Sequence, residues 1–206
     1  MTDTPVFIDK ESGTSTGLLR RAVLRQPDAW DKLVSLYGPL VYRWCRRWGL
    51  QPRDAENVGQ EVFVRVLLGL PKLQIDGANR SFRGWLFRIA RNCFLDHIRD
   101  QRTVVQGAGG STGQEWLEQV PAAAVSDESE SATSHEDNNI LIQQALGLIR
   151  GEFSDRDWNA FSQVVMQGRL PADVAADMNI STNVVYLVKS RVLRRLREEF
   201  AELVEF

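Results

Sequence analysis

The chain has 206 residues, of which 43% are hydrophobic, and its 25 Lys and Arg against 27 Asp and Glu give a net charge of −2. No run of about 18 or more apolar residues occurs, and the first residues lack the basic-then-apolar order of a signal peptide, so we expect a cytoplasmic protein without a membrane span. The two cysteines are not in a Cys-x-x-Cys pair, which argues against a zinc site or a disulfide framework. We therefore expect no metal and no cofactor.

The charges are distributed unevenly along the chain. Residues 1–102 hold 17 basic and 11 acidic residues, and residues 140–206 hold 8 and 9. Residues 103–139 hold 7 acids and no Lys or Arg, and they are rich in Gly, Ser and Ala. This composition predicts a flexible acidic linker. We expect a mobile arm over 1–17, one domain over 18–102, the linker over 103–139 and a second domain over 140–206.

Helix-forming residues dominate, and no alternating apolar and polar runs flank hairpin turns, which favours an all-α fold of two small helical domains. Three helices are predicted before the linker, within residues 27–50, 52–70 and 81–102. The second buries an apolar stripe and leaves Asn57, Gln60 and Glu61 facing outward. The third is basic and aromatic together, as a surface that contacts nucleic acid would be.

The segment that begins at Leu170 meets the requirements of a helix-turn-helix. Apolar residues fall on the inner side of both helices, Ala175 is small enough for their contact, and Asn179 tolerates the positive φ of the turn. Ser181 is a natural N-cap for the second helix. An ordinary helical hairpin is the alternative. In a helix-turn-helix, the second helix would present to base edges Thr182, Asn183, Tyr186, Leu187 and Ser190, and to phosphates Lys189, Arg191, Arg194, Arg195 and Arg197.

Three motifs follow one another in the chain: DAENVGQEVFVRV, then FRGWLFRIARNCFLDHIRDQR, then, beyond the acidic segment, VAADMNISTNVVYLVKSRVLRRLRE. In this order and spacing they resemble region 2.2, regions 2.3 to 2.4 and region 4.2 of a sigma-70 family factor of the extracytoplasmic-function (ECF) group. The resemblance covers nearly everything from Leu18 to Phe200. It implies a sigma factor, without catalysis of its own, that binds core RNA polymerase and directs promoter recognition and melting.

The resemblance also assigns roles to individual residues. Contact with the clamp coiled coil of the polymerase is implied for Asn57, Gln60 and Glu61, and the polymerase flap is a second partner. Binding of the −10 element is implied for Asp76, Asn79, Arg80, Phe82, Trp85, Arg88, Arg91 and Asn92. Binding of the −35 element is implied for Ser181, Thr182, Asn183, Tyr186, Leu187, Lys189, Ser190, Arg191 and Arg194. Promoter DNA is thus a partner, and an anti-sigma factor is a further candidate.

Two other classes of function remain open at this point. The rival to a sigma factor is a two-domain helix-turn-helix regulator that is not associated with core polymerase. A protein-only interaction module is harder to reconcile with the helix-turn-helix. The acidic linker likewise has two readings, either as a strand that threads the RNA channel of the polymerase or as a simple tether.

Overall fold

The computed structural model describes residues 17–73, 82–106 and 135–200, and all regular structure within these ranges is helical. Eight α-helices and two short 3-10 turns, Leu70–Lys72 and Arg150–Glu152, occur in them. The helices are α1 (Gly17–Val23), α2 (Pro27–Arg47), α3 (Pro52–Gly69), α4 (Phe82–Gln106), α5 (His135–Ile149), α6 (Asp155–Val165), α7 (Pro171–Asp177) and α8 (Thr182–Phe200). None of these helices is long and apolar enough to cross a membrane. The all-α prediction is confirmed.

Helices α1 to α4 form an N-terminal unit whose helix starts follow from the sequence. Pro27 and Pro52 each occupy the first turn of a helix, where the missing N–H costs nothing. Pro39 lies inside α2 without ending it. Burial raises the pKa of Cys45 to about 12 and that of Cys93 to about 11. Both side chains are therefore thiols in the core of this unit at neutral pH.

Helices α5 to α8 form a C-terminal unit that contains the predicted helix-turn-helix, formed by α7 and α8. Asn179 has a φ of 52°, as the turn requires, and the N–H of Ile180 donates to the carbonyl of Ala175 at 3.0 Å. The Ser181 hydroxyl accepts a hydrogen bond from the N–H of Val184 at 3.3 Å, which is the expected N-cap. Ala175 is buried where the helices meet. The local geometry predicted for this motif is confirmed.

The predicted boundaries of the linker were wrong at both ends. Helix α4 continues to Gln106, and α5 already begins at His135, so residues 103–106 and 135–139 are helical. The acids at the second boundary, Glu136 and Asp137, lie in the first turn of α5, where the helix dipole favours negative charge. Asp137 is 1% exposed and is the one buried charged residue among those described. Residues 107–134 lie outside the described ranges, and there the linker remains a prediction.

The two units lie against each other. Helix α5 contacts α2, and the end of α8 contacts α1. One continuous hydrophobic cluster includes Leu33 and Val41 from α2 together with Leu141 from α5 and Phe200 from α8. The helix-turn-helix has a small cluster of its own around Val174. The main core of the molecule is therefore shared by the two units.

Candidate polymerase and nucleic-acid interfaces

The outward face of α3 carries the three polar residues predicted there. Asn57, Gln60 and Glu61 are all exposed. The Glu61 carboxylate accepts a hydrogen bond from Arg65 at 2.9 Å, and Arg65 also donates to Asp96 of α4 at 2.9 Å. These two hydrogen bonds raise the pKa of Arg65, that to Asp96 most. The network fixes the direction of the Glu61 carboxylate on the surface.

A groove of about 520 Å³ lies between α2 and α3, with Gln60 and Glu56 among its lining residues. Most of its wall is apolar or lacks a side chain, and comprises Trp30, Val34, Gly38, Tyr42, Ala55, Gly59, Phe63, Val64 and Leu67. Val64 is exposed although it is apolar, and so is Leu68 one turn later. The groove was not predicted. Val64 and Leu68, two apolar residues outside the buried stripe of α3, were the feature of the sequence that could have indicated an apolar surface here.

The structure does not place all of the predicted −10 residues on an accessible surface. Asp76, Asn79 and Arg80 lie outside the described residues. Phe82 is 2% exposed, and its ring packs against Tyr37 with centroids 5.0 Å apart, so this ring is not accessible to a base, contrary to its implied role in binding the −10 element. Its position at the start of α4 turns it inward, between α4 and α2.

Trp85, one turn after Phe82, is half-buried at the surface. Its ring lies against Gly69 at the end of α3, where an added Cβ would come within 3.0 Å of the Trp85 Cζ2 atom. A glycine at that position is what allows the indole to lie across the helix end. Of the two aromatic residues predicted for the −10 element, Trp85 alone keeps an accessible ring.

Basic and polar residues follow Trp85 along α4. Arg88 and Asn92 are exposed four residues apart on one face, and Arg91 is half-buried beside them. Arg83, in the first turn of α4, was missed by the sequence interpretation. Its side chain is 12% exposed and lies 3.5 Å from the Asp137 carboxylate. Nothing in the local sequence indicates this contact, because the acid is 54 residues away in the chain.

The first turns of α8 present the residues predicted to read bases. Asn183, Tyr186, Leu187 and Ser190 are exposed, and the side chains of Tyr186 and Leu187 reach 55% exposure each. Thr182 is half-buried, and Ser181 is occupied as the N-cap. The opposite face of α8 is buried. Tyr186 and Leu187 therefore lie outside the core and are accessible to a partner.

The basic residues of α8 are not equivalent. The Arg194 side chain is 72% exposed, with Glu198 at 3.6 Å, and Arg191 lies 3.3 Å from Asp157 of α6. Lys189 is half-buried, and Arg197 is exposed. These positions are compatible with phosphate contact.

Arg195 differs from the other basic residues of α8. It donates to Glu152 and to Glu199, each at 2.9 Å, and these hydrogen bonds, above all the one to Glu152, raise the pKa of Arg195. The interpretation of Arg195 as a phosphate contact was therefore wrong, because its guanidinium is committed to two carboxylates. Its role in this structure is to tie α8 to the 3-10 turn before α6.

The fold and these surfaces define a two-unit helical protein with a helix-turn-helix. Residues 33–104 match the family model of sigma-70 region 2. The chain is similar to the ECF RNA polymerase sigma factor SigW of Bacillus subtilis, with 31% identity over 124 residues that cover 59% of this chain and 64% of SigW. It is also similar to the ECF RNA polymerase sigma factor ShbA of Streptomyces griseus, with 26% identity over 196 residues, 92% of this chain and 96% of ShbA. The chain is thus similar to curated ECF RNA polymerase sigma factors, and its residues 33–104 match sigma-70 region 2.

Among solved structures, the chain is similar to CnrH in its complex with the cytosolic domain of CnrY. The sequence identity is 20%, the TM-score is 0.36, and the match covers 88% of this chain and 94% of CnrH.

Proposed function

We propose that this chain is a sigma factor that binds core RNA polymerase and directs promoter recognition and melting in the cytoplasm, with no catalysis of its own. The observation that carries the proposal is the match of residues 33–104 to sigma-70 region 2. That segment contains both the exposed polar face of α3 and the basic, aromatic helix α4. A complete helix-turn-helix in the same chain supplies a second DNA-binding surface.

The polymerase contact is assigned to the outward face of α3 and the groove beside it. A stable protein interface combines an apolar centre with a polar rim. Phe63 and Val64 in the groove would supply the first, and Gln60 and Glu61 would supply the second. The clamp coiled coil is the proposed partner on this surface, and the flap is the proposed partner of the C-terminal unit.

The −10 element is assigned to the surface of α4 that begins with Trp85 and continues through Arg88, Arg91 and Asn92. An aromatic ring beside guanidinium groups suits an unpaired strand, because a base stacks on the ring while the phosphates meet positive charge. The −35 element is assigned to the N-terminal half of α8. An anti-sigma factor is proposed as a further partner on the strength of the similarity to ECF sigma factors alone.

The proposal is tested by measuring binding of the full chain to core polymerase. Changing Gln60 and Glu61 together to Ala is expected to weaken binding by about tenfold or more, since hydrogen bonds of a polar rim contribute on the order of 1 kcal/mol each. Helicity should not change, because neither residue belongs to the buried stripe of α3. The matched control changes Gln51 and Asp100, an exposed amide and an exposed carboxylate elsewhere on the N-terminal unit, and should bind as the native chain does.

Unchanged affinity of the Gln60 and Glu61 double variant would contradict the assignment of this face to the polymerase contact.

A second measurement separates the sigma factor from the helix-turn-helix regulator. The free chain, with a net charge of −2, should bind duplex promoter DNA poorly, whereas the reconstituted holoenzyme should bind it well. Tight, specific binding of the isolated chain to duplex DNA would favour the regulator instead.

A further inference from the structure

The closed arrangement of the two units conflicts with simultaneous reading of two promoter elements. Elements centred near −10 and −35 are about 25 base pairs apart, which is roughly 85 Å of duplex at 3.4 Å per base pair. A compact chain of this length has a radius of gyration of about 17 Å and a diameter of about 40 Å. The 28 residues between α4 and α5 could reach roughly 95 Å when extended. Binding to both elements therefore requires that the units separate.

One polar contact between the units centres on Asp137. The indole N–H of Trp44 in α2 donates to its Oδ2 atom at 3.0 Å. The Arg43 Nε atom lies 3.3 Å from Oδ1, and the Arg83 guanidinium of α4 lies 3.5 Å from Oδ2. Arg43 also pairs with the neighbouring Glu136 of α5, whose side chain is exposed. A carboxylate that is 1% exposed between two guanidinium groups and an indole is stable only while all of them stay in place. Asp137 thus joins α5 to two helices of the N-terminal unit.

A second polar contact lies at the other end of the interface and centres on Glu199 in the last turn of α8. Its Oε1 atom accepts hydrogen bonds from Lys32 of α2 at 2.9 Å and from Arg21 of α1 at 3.4 Å. Its Oε2 atom accepts from Arg195 of its own helix at 2.9 Å. Phe200, the next residue, is fully buried in the shared core. The end of α8 is therefore held to the N-terminal unit by charge and by apolar packing together.

We propose that the free chain holds itself in a closed, self-inhibited state, with Asp137 and Glu199 as the two shielded acids that fasten the C-terminal unit onto the N-terminal unit. The inhibitory part of this inference rests on the proposed function. In the closed state Asp137 also occupies Arg83, which follows directly on Phe82 at the start of the helix assigned to the −10 element. Opening releases that guanidinium. The outward face of α3 stays exposed in the closed state, so the polymerase can reach it before the units separate.

The closed state is tested first by a distance measurement on the free chain, which needs no polymerase. Spin labels or fluorophores are placed at Ser35→Cys in α2 and Ala172→Cys in α7, both exposed positions. The native cysteines are buried and do not compete for the label. A single narrow distance distribution is expected for the otherwise native chain. A broad distribution that reaches the long distances of two tethered, independent units would overturn the proposal.

The two acids are then tested by isosteric neutralisation in the labelled chain. Asp137→Asn and Glu199→Gln should each lower the ratio of closed to open molecules by about tenfold or more, because the first takes the carboxylate from Arg83 and the second takes it from Lys32. Asp155→Asn and Glu198→Gln are the matched controls, since these acids pair with Arg150 and Arg194 within the C-terminal unit. The controls should leave the distance distribution unchanged. Equal effects of test and control variants would mean that the two acids do not fasten the interface.

Polymerase binding supplies the functional readout. If only open molecules complete the complex, the apparent Kd for core polymerase falls as the open fraction rises. Asp137→Asn and Glu199→Gln should then bind core more tightly, by no more than their measured increase in open fraction. Variants that open but bind no more tightly would refute the inhibitory role while leaving the closed state intact. Failure of the native chain to bind core at all would instead refute the proposed function, and the distance measurement would still decide the closed state.

Discussion

Replacing residues along α8 one at a time should separate base reading from phosphate contact. Asn183 lies in the first turn of this helix and Arg194 lies 11 residues later, which is about 16 Å along the axis at 1.5 Å per residue. The major groove is about 12 Å wide. A helix that enters the groove by its N-terminus therefore brings Asn183 and Tyr186 within reach of base edges and carries Arg194 past the groove to the phosphates.

These positions predict two different kinds of loss. Asn183→Ala should cost about 1 to 3 kcal/mol at one position of the −35 element and relax the base preference there. Arg194→Ala should weaken binding to all sequences alike and lower the slope of log affinity against log salt by about 0.9, since one phosphate contact is lost. Arg195→Ala should leave base preference and the salt slope unchanged and lower stability instead, because its guanidinium binds Glu152 and Glu199.

The assay is binding of reconstituted holoenzyme to a promoter set in which each base of the −35 element is varied, repeated at several salt concentrations. The three variants share one helix, so each serves as a control for the others. A change in base preference for Arg194→Ala with none for Asn183→Ala would refute the placement of α8 by at least one helical turn.

Three further outcomes are expected from the structure. Cys45 and Cys93, whose pKa values burial raises to about 12 and about 11, should resist maleimide at pH 7 in the native chain and react once urea unfolds it; rapid native labelling would contradict their burial. Gly69→Ala should lower the free energy of unfolding in urea by about 1 to 3 kcal/mol, because the new Cβ would meet the Trp85 ring at 3.0 Å. The control Gly147→Ala, in a helix with open space around that position, should raise the free energy of unfolding by about 0.5 to 1 kcal/mol. Equal effects of the two substitutions would refute the contact with Trp85. Burial alone would raise the pKa of Glu199, but hydrogen bonds from Lys32 and Arg195 lower it overall. The stability that Glu199 contributes should therefore be complete above the ordinary Glu pKa of about 4.3 and be lost as pH falls through the lowered pKa. A loss of stability already between pH 6 and 5 in the native chain, but not in Glu199→Gln, would contradict this.

The helices and the helix-turn-helix could be predicted because local chemistry determines them. Asn179 at the turn and Ser181 at the N-cap satisfy requirements that involve only their neighbours in the chain. The outward residues of α3 followed in the same way from the period of its apolar stripe. The role of Phe82 could not be predicted, because the same aromatic residue suits a core and a stacking surface, and only its packing against Tyr37 decides between them.

Charged residues were the least predictable part of the candidate site. A carboxylate has the same local signature whether solvent or a distant guanidinium surrounds it. Asp137 was counted among the acids of a solvated linker, and Arg195 among the phosphate contacts, because their partners, Trp44 and Glu152, lie 93 and 43 residues away. Such pairs follow from the tertiary arrangement, which no local periodicity records.

The position of Asp137 in the first turn of α5 keeps its carboxylate in a favourable environment after the proposed opening. When the units separate, its carboxylate passes to solvent at a helix N-terminus, where the dipole still favours negative charge. Arg43 and Arg83 lose a carboxylate partner, but a phosphate offers them the same charge and the same hydrogen-bonding geometry. Opening in the absence of nucleic acid would leave these guanidinium groups without that replacement, whereas opening on a promoter would provide it. A phosphate at Arg83 would therefore stabilise the proposed open state beyond the contacts that read the DNA sequence, and the closed and DNA-bound states would compete for this residue.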